Sequence, residues 1–181
     1  MPSPDAGALR LVLLRHAKSD HPAGVADLDR PLNDRGKRAA PLIGAHLAEA
    51  GLIPDRVLLS PSQRTRETWK AVADALGRPP CEIADGIYEA PAGSLLRVIR
   101  SAPDEARTLL VIGHNPGLQD LGTQLAGAGE AALCRRLAVE FPTAAYAVIA
   151  FDADAWREIG TGTGRLVSFV RPRDLTEAAD A

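Results

Sequence analysis

Leu11-Val12-Leu13-Leu14-Arg15-His16-Ala17 decides the fold: four aliphatic residues in an unbroken run, closed at once by a cation and an imidazole. A continuous apolar run this short is the pattern of a strand buried on both faces of a parallel sheet. Its Arg-His ending then lies at the carboxyl edge of that sheet, where open α/β sheets bind their ligands. Guanidinium is a planar fork of donors suited to phosphate oxygens, and a neutral imidazole nitrogen is a nucleophile toward phosphorus.

Outward from this run the chain alternates strand-like and helix-like segments. Asp20 to Leu32 is a polar loop broken by Pro22, Gly24 and Pro31. Asn33 is placed to cap a helix running to about Ala50, with Pro41 inside it and Gly51 ending it. Val57-Leu58-Leu59 is a second strand, and Ser60-Pro61 opens a helix to about Leu76 with Pro61 at its first position. A weak strand at Glu82-Ile83 precedes the loop Tyr88-Glu89-Ala90, and a short helix spans Ser94 to about Ser101. Thr108-Leu109-Leu110-Val111-Ile112 is the clearest strand, closed by Gly113-His114-Asn115-Pro116-Gly117 and a helix from Leu118 to Ala126. After a loop at Gly127–Glu130, Ala144–Phe151 and Arg165–Val170 read as a final strand pair. The expected fold class is α/β: a single three-layer α/β/α domain with a mostly parallel sheet and helices on both faces. The expected division is a flexible start at 1–10, the domain at 11–173 and a charged tail at 174–181.

With 181 residues, 46% of them apolar and 24% charged, the chain has the size and composition of one globular domain. A net charge of −2 argues against a general nucleic-acid binder. No 18-residue apolar stretch and no basic-then-apolar leader are visible, so neither a membrane span nor secretion is expected. Two cysteines, Cys81 and Cys134, make neither a disulfide framework nor a metal motif, which points to a reducing cytoplasmic setting. A monomer is expected.

Arg15 and His16, Arg64 and His114 each follow a strand, so two guanidinium forks and two imidazoles converge on one edge. Such a set holds a phosphoryl group and stabilises its equatorial charge in the transition state. His16 would attack phosphorus, with a hydrogen bond from its other ring nitrogen to a backbone carbonyl fixing the tautomer. Taken singly, each residue has a plain structural reading: a surface pair, a solvated helix face, a turn-forming His. Three successive strand ends together favour chemistry. His46, inside the first helix, reads as structural, Lys18 and His21 as solvated residues near the pocket.

Leu14-Arg15-His16-Ala17-Lys18-Ser19, Arg30-Pro31-Leu32 followed by Gly36, Ser60-Pro61-Ser62-Gln63-Arg64-Thr65 through Thr68, and Gly113-His114-Asn115-Pro116-Gly117 together resemble the histidine phosphatase superfamily. The resemblance is to its small branch, the SixA-type phosphohistidine phosphatases, which share a phosphoglycerate mutase-like fold and an Arg-His-Gly motif; Ala17 stands here where Gly is usual. It implies His16 as nucleophile, Arg15 and Arg64 as phosphate clamps and His114 as a further phosphate ligand. For the proton donor Glu89 is the first candidate, with Asp20 and Asp85 as alternatives.

Phosphohistidine loses its imidazole readily once protonated, whereas an alkoxide leaving group needs a well-placed acid. Arg64 to Glu89 and Glu89 to His114 are each 25 residues, too short to add a cap domain around a small metabolite. The expected activity is therefore a metal-independent phosphatase, without cofactor, acting on a phosphorylated substrate such as a histidine-phosphorylated protein. A small-molecule phosphomonoesterase acting on a sugar phosphate, nucleotide or polyphosphate is the alternative, and a non-catalytic phosphate-binding module a third.

Overall fold

The structure, a computed structural model, describes residues 8–179. Its frame is a seven-stranded sheet: β1 (Leu9–Arg15), β2 (Arg56–Leu59), β3 (Cys81–Ile83), β4 (Thr108–Gly113), β5 (Ala126–Gly129), β6 (Tyr146–Phe151) and β7 (Gly164–Val170). The spatial order is β3-β2-β4-β1-β6-β7-β5. β3, β2, β4 and β1 run parallel, β6 is antiparallel to both β1 and β7, and β5 pairs parallel with β7.

Alternation of side chains along each strand divides the core in two. Leu9, Leu11 and Leu13 face one apolar cluster with Leu109, Val111, Ala147 and Ile149. Val12 and Leu14 face the other with Leu110, Ile112, Tyr146 and Val148. The first cluster is covered by α3 (Ala92–Arg100), α4 (Gly117–Leu125) and α5 (Ala131–Val139), which contribute Leu95, Ile99, Leu118, Leu121 and Leu137. The second is covered by α1 (Asp34–Glu49) and α2 (Gln63–Val72), with Ile43, Leu47 and Val72 buried, and α6 (Pro172–Ala179) packs beside α1. Both faces of the central strands are covered, so β1, β2, β4 and β6 form a buried middle layer, as expected, while the edge strands β3 and β5 are largely exposed.

The chain leaves β1 through α1 to β2, passing over the slot that β4 later fills. That skipped slot brings the carboxyl ends of β1, β2 and β4 side by side, the arrangement in which open α/β sheets form a ligand crevice.

Local chemistry explains most boundaries. Asn33 caps α1, its side chain accepting from the Gly36 amide, and the helix continues through Pro41. A Cβ on Gly36 would lie 2.1 Å from the Lys18 carbonyl oxygen, so only glycine lets α1 start against the segment that carries His16. Ser19 and Leu32 form a bridge that ties the Arg30-Pro31-Leu32 stretch to that segment.

Several expectations are corrected. The second helix starts at Gln63 rather than at Pro61, because Ser62 is its cap and accepts from the Thr65 amide; its regular part ends at Val72. Ala126, expected as the end of a helix, and Gly127–Gly129, expected within a loop at Gly127–Glu130, form the edge strand β5, held to β7 by main-chain pairing. α5 was not expected at all. Residues 9 and 10 belong to β1 rather than to a flexible start: Leu9 is fully buried and pairs with Phe151. The expected tail is α6 up to Ala179, fastened by Arg136 and Arg171 to Asp174. The rest of both expected termini, residues 1–7 and 180–181, lies outside the described residues.

Candidate active site

His16 is 7% exposed at the mouth of β1, its amide bonded to the Gly113 carbonyl of β4 at 3.1 Å. Its Nδ1 lies 2.7 Å from the Ala17 carbonyl oxygen. A carbonyl only accepts, so Nδ1 carries the proton and Nε2 is left with its lone pair. Burial, opposed by that hydrogen bond and aided by the neighbouring His114, Arg64 and Arg15, pushes the His16 pKa down to about 3. Ala17 is buried with its methyl in the cluster beneath α1 and α2, and its amide donates to Thr68 Oγ1 at 3.0 Å. The substitution of Ala for Gly is thus absorbed by the core.

Arg64, in the first turn of α2, is 3% exposed. Its Nη2 donates to His114 Nδ1 at 3.3 Å. Since Nδ1 accepts, the His114 proton is on Nε2, which donates to Ser60 Oγ at 2.7 Å. Burial first, and then Arg64, lower the His114 pKa to about 4, so both imidazoles are neutral near pH 7. The two rings stand 5.3 Å apart between centroids. Arg15 donates from Nη1 to the Phe141 carbonyl at 2.9 Å. Its Nε is buried without a hydrogen-bond partner among the described residues.

Arg15, His16, Arg64 and His114 line one cavity of about 290 Å³, together with Lys18, Ser19, His21, Asp27, Arg30, Glu89, Asn115 and Thr143. The four residues expected to converge at the sheet edge thus line the same cavity. Glu89 reaches the cavity from an exposed loop in a left-handed conformation, φ 49°. Asp20 and Asp85, the alternative acids, are exposed and do not line it. His46 does not line the cavity and bonds through Nδ1 to the Tyr146 hydroxyl at 2.8 Å, a structural role. Lys18 and His21 do line the cavity, and His21 Nε2 accepts from Arg30 Nη2 at 2.7 Å.

Two contributors escaped sequence reasoning. Asp27 sits in the stretch read only as a polar loop, yet its carboxylate is 3.1 Å from Arg64 Nη2 and 2.8 Å from Arg30 Nη1. The signal was faint: an acid three residues before the Arg30-Pro31-Leu32 motif. The Phe141–Ala144 segment carries Thr143 into the lining and holds Arg15 from a distance of 126 residues in sequence, which no local pattern reveals.

The sequence profile of the histidine phosphatase superfamily (branch 1) matches residues 11–108. An uncharacterized protein of Mycobacterium tuberculosis (strain ATCC 25618 / H37Rv) is 38% identical over 163 residues, covering 88% of this chain and all of its own. Among solved structures, a protein assigned as the phosphohistidine phosphatase SixA of Nakamurella multipartitia superposes with a TM-score of 0.81 at 29% identity, over 93% of this chain and 98% of that one. The Agrobacterium tumefaciens protein with the same assignment gives 0.75 at 29% identity, over 91% and 98%. A mycobacterial glucosyl-3-phosphoglycerate phosphatase shares the fold alone, at 0.56 and 15% identity, over 88% and 97%. The chain belongs to the histidine phosphatase superfamily, branch 1. It is a phosphatase, built on the phosphoglycerate mutase-like fold.

Proposed function

We propose that the enzyme removes the phosphoryl group from phosphohistidine on a protein, by way of a covalent phosphoryl-His16 intermediate and without a metal ion. The observation that carries the covalent step is the His16 Nδ1 to Ala17 carbonyl hydrogen bond of 2.7 Å, which leaves Nε2 unprotonated in a pocket of cations.

His16 Nε2 attacks phosphorus, forming a P–N bond as the bond to the leaving group breaks. The leaving group takes a proton from Glu89 or solvent water; a second water then gives its oxygen to phosphorus and a proton to the medium as the P–N bond breaks, releasing phosphate and neutral His16. Arg15 and Arg64 hold the equatorial oxygens and offset the charge that builds on them. His114 is kept neutral until phosphate arrives; the anion then favours its protonated form, a third charged donor beside Arg15 and Arg64.

The substrate class follows from the acid and from access. Glu89, the one expected acid that lines the cavity, is exposed on a loop, which suits a leaving group that departs with little help. Among the described residues no group of three or more His, Cys, Asp or Glu side chains could hold a metal ion, and Arg15 and Arg64 supply the positive charge instead. None of the helices among them is long and apolar enough to cross a membrane.

The second reading, a small-molecule phosphomonoesterase, is favoured by the same Glu89, since its presence in the lining could protonate an alkoxide. Phosphate release in EDTA from a histidine-phosphorylated protein and from a panel of small esters separates the two. Preference for the phosphoprotein, with Glu89→Gln costing little on it, supports phosphohistidine. Preference for one ester, with Glu89→Gln lowering kcat about a hundredfold, supports the ester. Loss of activity in EDTA overturns the metal-independent mechanism.

A further inference from the structure

Asp27 places a carboxylate, 3.1 Å from Arg64 Nη2, in the lining of the cavity proposed above to hold a phosphoryl group. Its own repulsion of a phosphoryl group has to be offset by something it holds in place. Four contacts show what that is. The Asp27 carbonyl accepts from Arg64 Nη1 at 2.7 Å, and its Oδ2 accepts from Arg64 Nη2 at 3.1 Å. Two of the five guanidinium donors thus go to one residue, and with a third on His114 the plane of the fork is set before an anion arrives. Oδ1 accepts from Arg30 Nη1 at 2.8 Å, and Arg30 in turn donates to Ser19 Oγ at 2.7 Å, tying the loop back to the segment of His16.

The fourth contact is the Tyr88 hydroxyl, which donates to Oδ2. Tyr88 packs edge-on against His114, 5.5 Å between centroids, and directly precedes Glu89. Glu89 has the left-handed φ of 49°, a conformation a non-glycine residue keeps only where its surroundings hold it. On its other side, Ala90 is pinned by Gly117, where a Cβ would come within 2.1 Å of the Ala90 carbonyl oxygen. Resting on the phosphatase reading above, we infer that Asp27 is the positioning residue of this active site, one carboxylate that orients the Arg64 fork and, through Tyr88, the loop presenting Glu89. Its hydrogen bond from Tyr88, then those from Arg30 and Arg64, keep its carboxyl well below the usual range, so it is charged throughout the working pH range.

A group that only stabilised the loop would change melting temperature and leave turnover per folded molecule alone. Asp27 instead acts on kcat, and its effect is shared with Tyr88 and Glu89. The test is steady-state phosphate release from p-nitrophenyl phosphate, and for the Glu89 comparisons from an alkyl phosphate whose alkoxide needs an acid, by Asp27→Ala, Asp27→Asn, Tyr88→Phe and Glu89→Gln, singly and combined, with thermal melts alongside. Asp27→Ala is expected to lower kcat by about tenfold to a hundredfold with a smaller change in KM, since misplacing a clamp acts on the transition state. Asp27→Asn, which keeps an oxygen for Tyr88 and Arg64, recovers part of that loss.

In the Asp27→Ala background, Tyr88→Phe adds nothing and Glu89→Gln costs less than in the wild type. A kcat within about twofold of wild type in a folded Asp27→Ala protein overturns the inference, as do strictly multiplicative effects of Asp27 and Tyr88. Should Asp27→Ala fail to fold, Asp27→Asn with Tyr88→Phe decides the same coupling. Alkali-quenched trapping in the wild type keeps the two readings apart: turnover without phosphoryl-His16 sinks the phosphatase mechanism, whereas phosphoryl-His16 with unchanged kcat in the Asp27 variants sinks only this one.

Discussion

His16 and His114 face each other across the cavity with ring centroids 5.3 Å apart, and their outward hydrogen bonds assign the protons asymmetrically. His16 carries its proton on Nδ1, against Ala17, and His114 on Nε2, against Ser60. The first arrangement leaves a lone pair for attack, while the second leaves Nδ1 accepting from Arg64 Nη2, so that the ring is tied to the guanidinium. Two like residues thus have opposite tasks because their hydrogen-bond partners differ.

That asymmetry has a pH signature. Both imidazoles are depressed from 6.5, His16 to about 3 and His114 to about 4. kcat/KM, corrected for the substrate's own ionisation, should show no step near 6.5 and an acid limb only below about 5. The sign for stability is opposite to that of a paired histidine. Between about 3 and 6.5 the unfolded chain binds more protons at these positions than the folded one. Their contribution to stability is therefore complete above 6.5 and falls as pH drops through that window. Denaturant midpoints at pH 7, 5.5 and 4 measure it; a rate step at 6.5 contradicts the assignment.

Arg64→Lys keeps the charge and loses the fork. A single ammonium cannot reproduce the contacts to both the carbonyl and carboxylate of Asp27 and to His114. kcat/KM should fall about a hundredfold, on the scale of removing one preorganised transition-state donor. Steady-state kinetics on one ester is sufficient, and a loss below fivefold contradicts the clamp.

Gly117→Ala places a methyl group where the Ala90 carbonyl stands. The loop of Glu89 must shift or the start of α4 must move, at a cost of about 1–3 kcal/mol. Urea unfolding reads the loss. Gly51→Ala, whose Cβ meets nothing within 4 Å but whose φ is 70°, is the comparison that isolates backbone strain from clash.

The parallel half of the sheet was legible because β1 and β4 bury both faces, which demands uninterrupted aliphatic runs, and each is closed by a residue pattern with its own chemistry. Asn33 marked the start of α1 because capping acts locally; the steric need for Gly36 against Lys18 shows only in the fold. The four-residue site followed from the same logic: each member sits directly behind a strand or its helix turn. β5 was not legible, since Ala126-Gly127-Ala128-Gly129 has no β-forming side chains and is a strand only because β7 offers it an edge. α5 begins without a side-chain cap, and α6 looks like a charged tail until Arg171 and Arg136 are seen to hold Asp174. Asp27 was missed for a related reason. Its partners Arg64 and Tyr88 lie 37 and 61 residues away, and only the fold makes them neighbours.

The most direct test of the account is to mix the enzyme with a radiolabelled phosphoryl donor, quench within milliseconds in alkali, where phosphohistidine survives, and locate the label by peptide mapping. The account predicts one phosphoryl group per chain, on His16, that disappears at the rate of phosphate release and is absent in His16→Ala along with turnover. Turnover that proceeds with no label on His16, or that persists in His16→Ala, contradicts it.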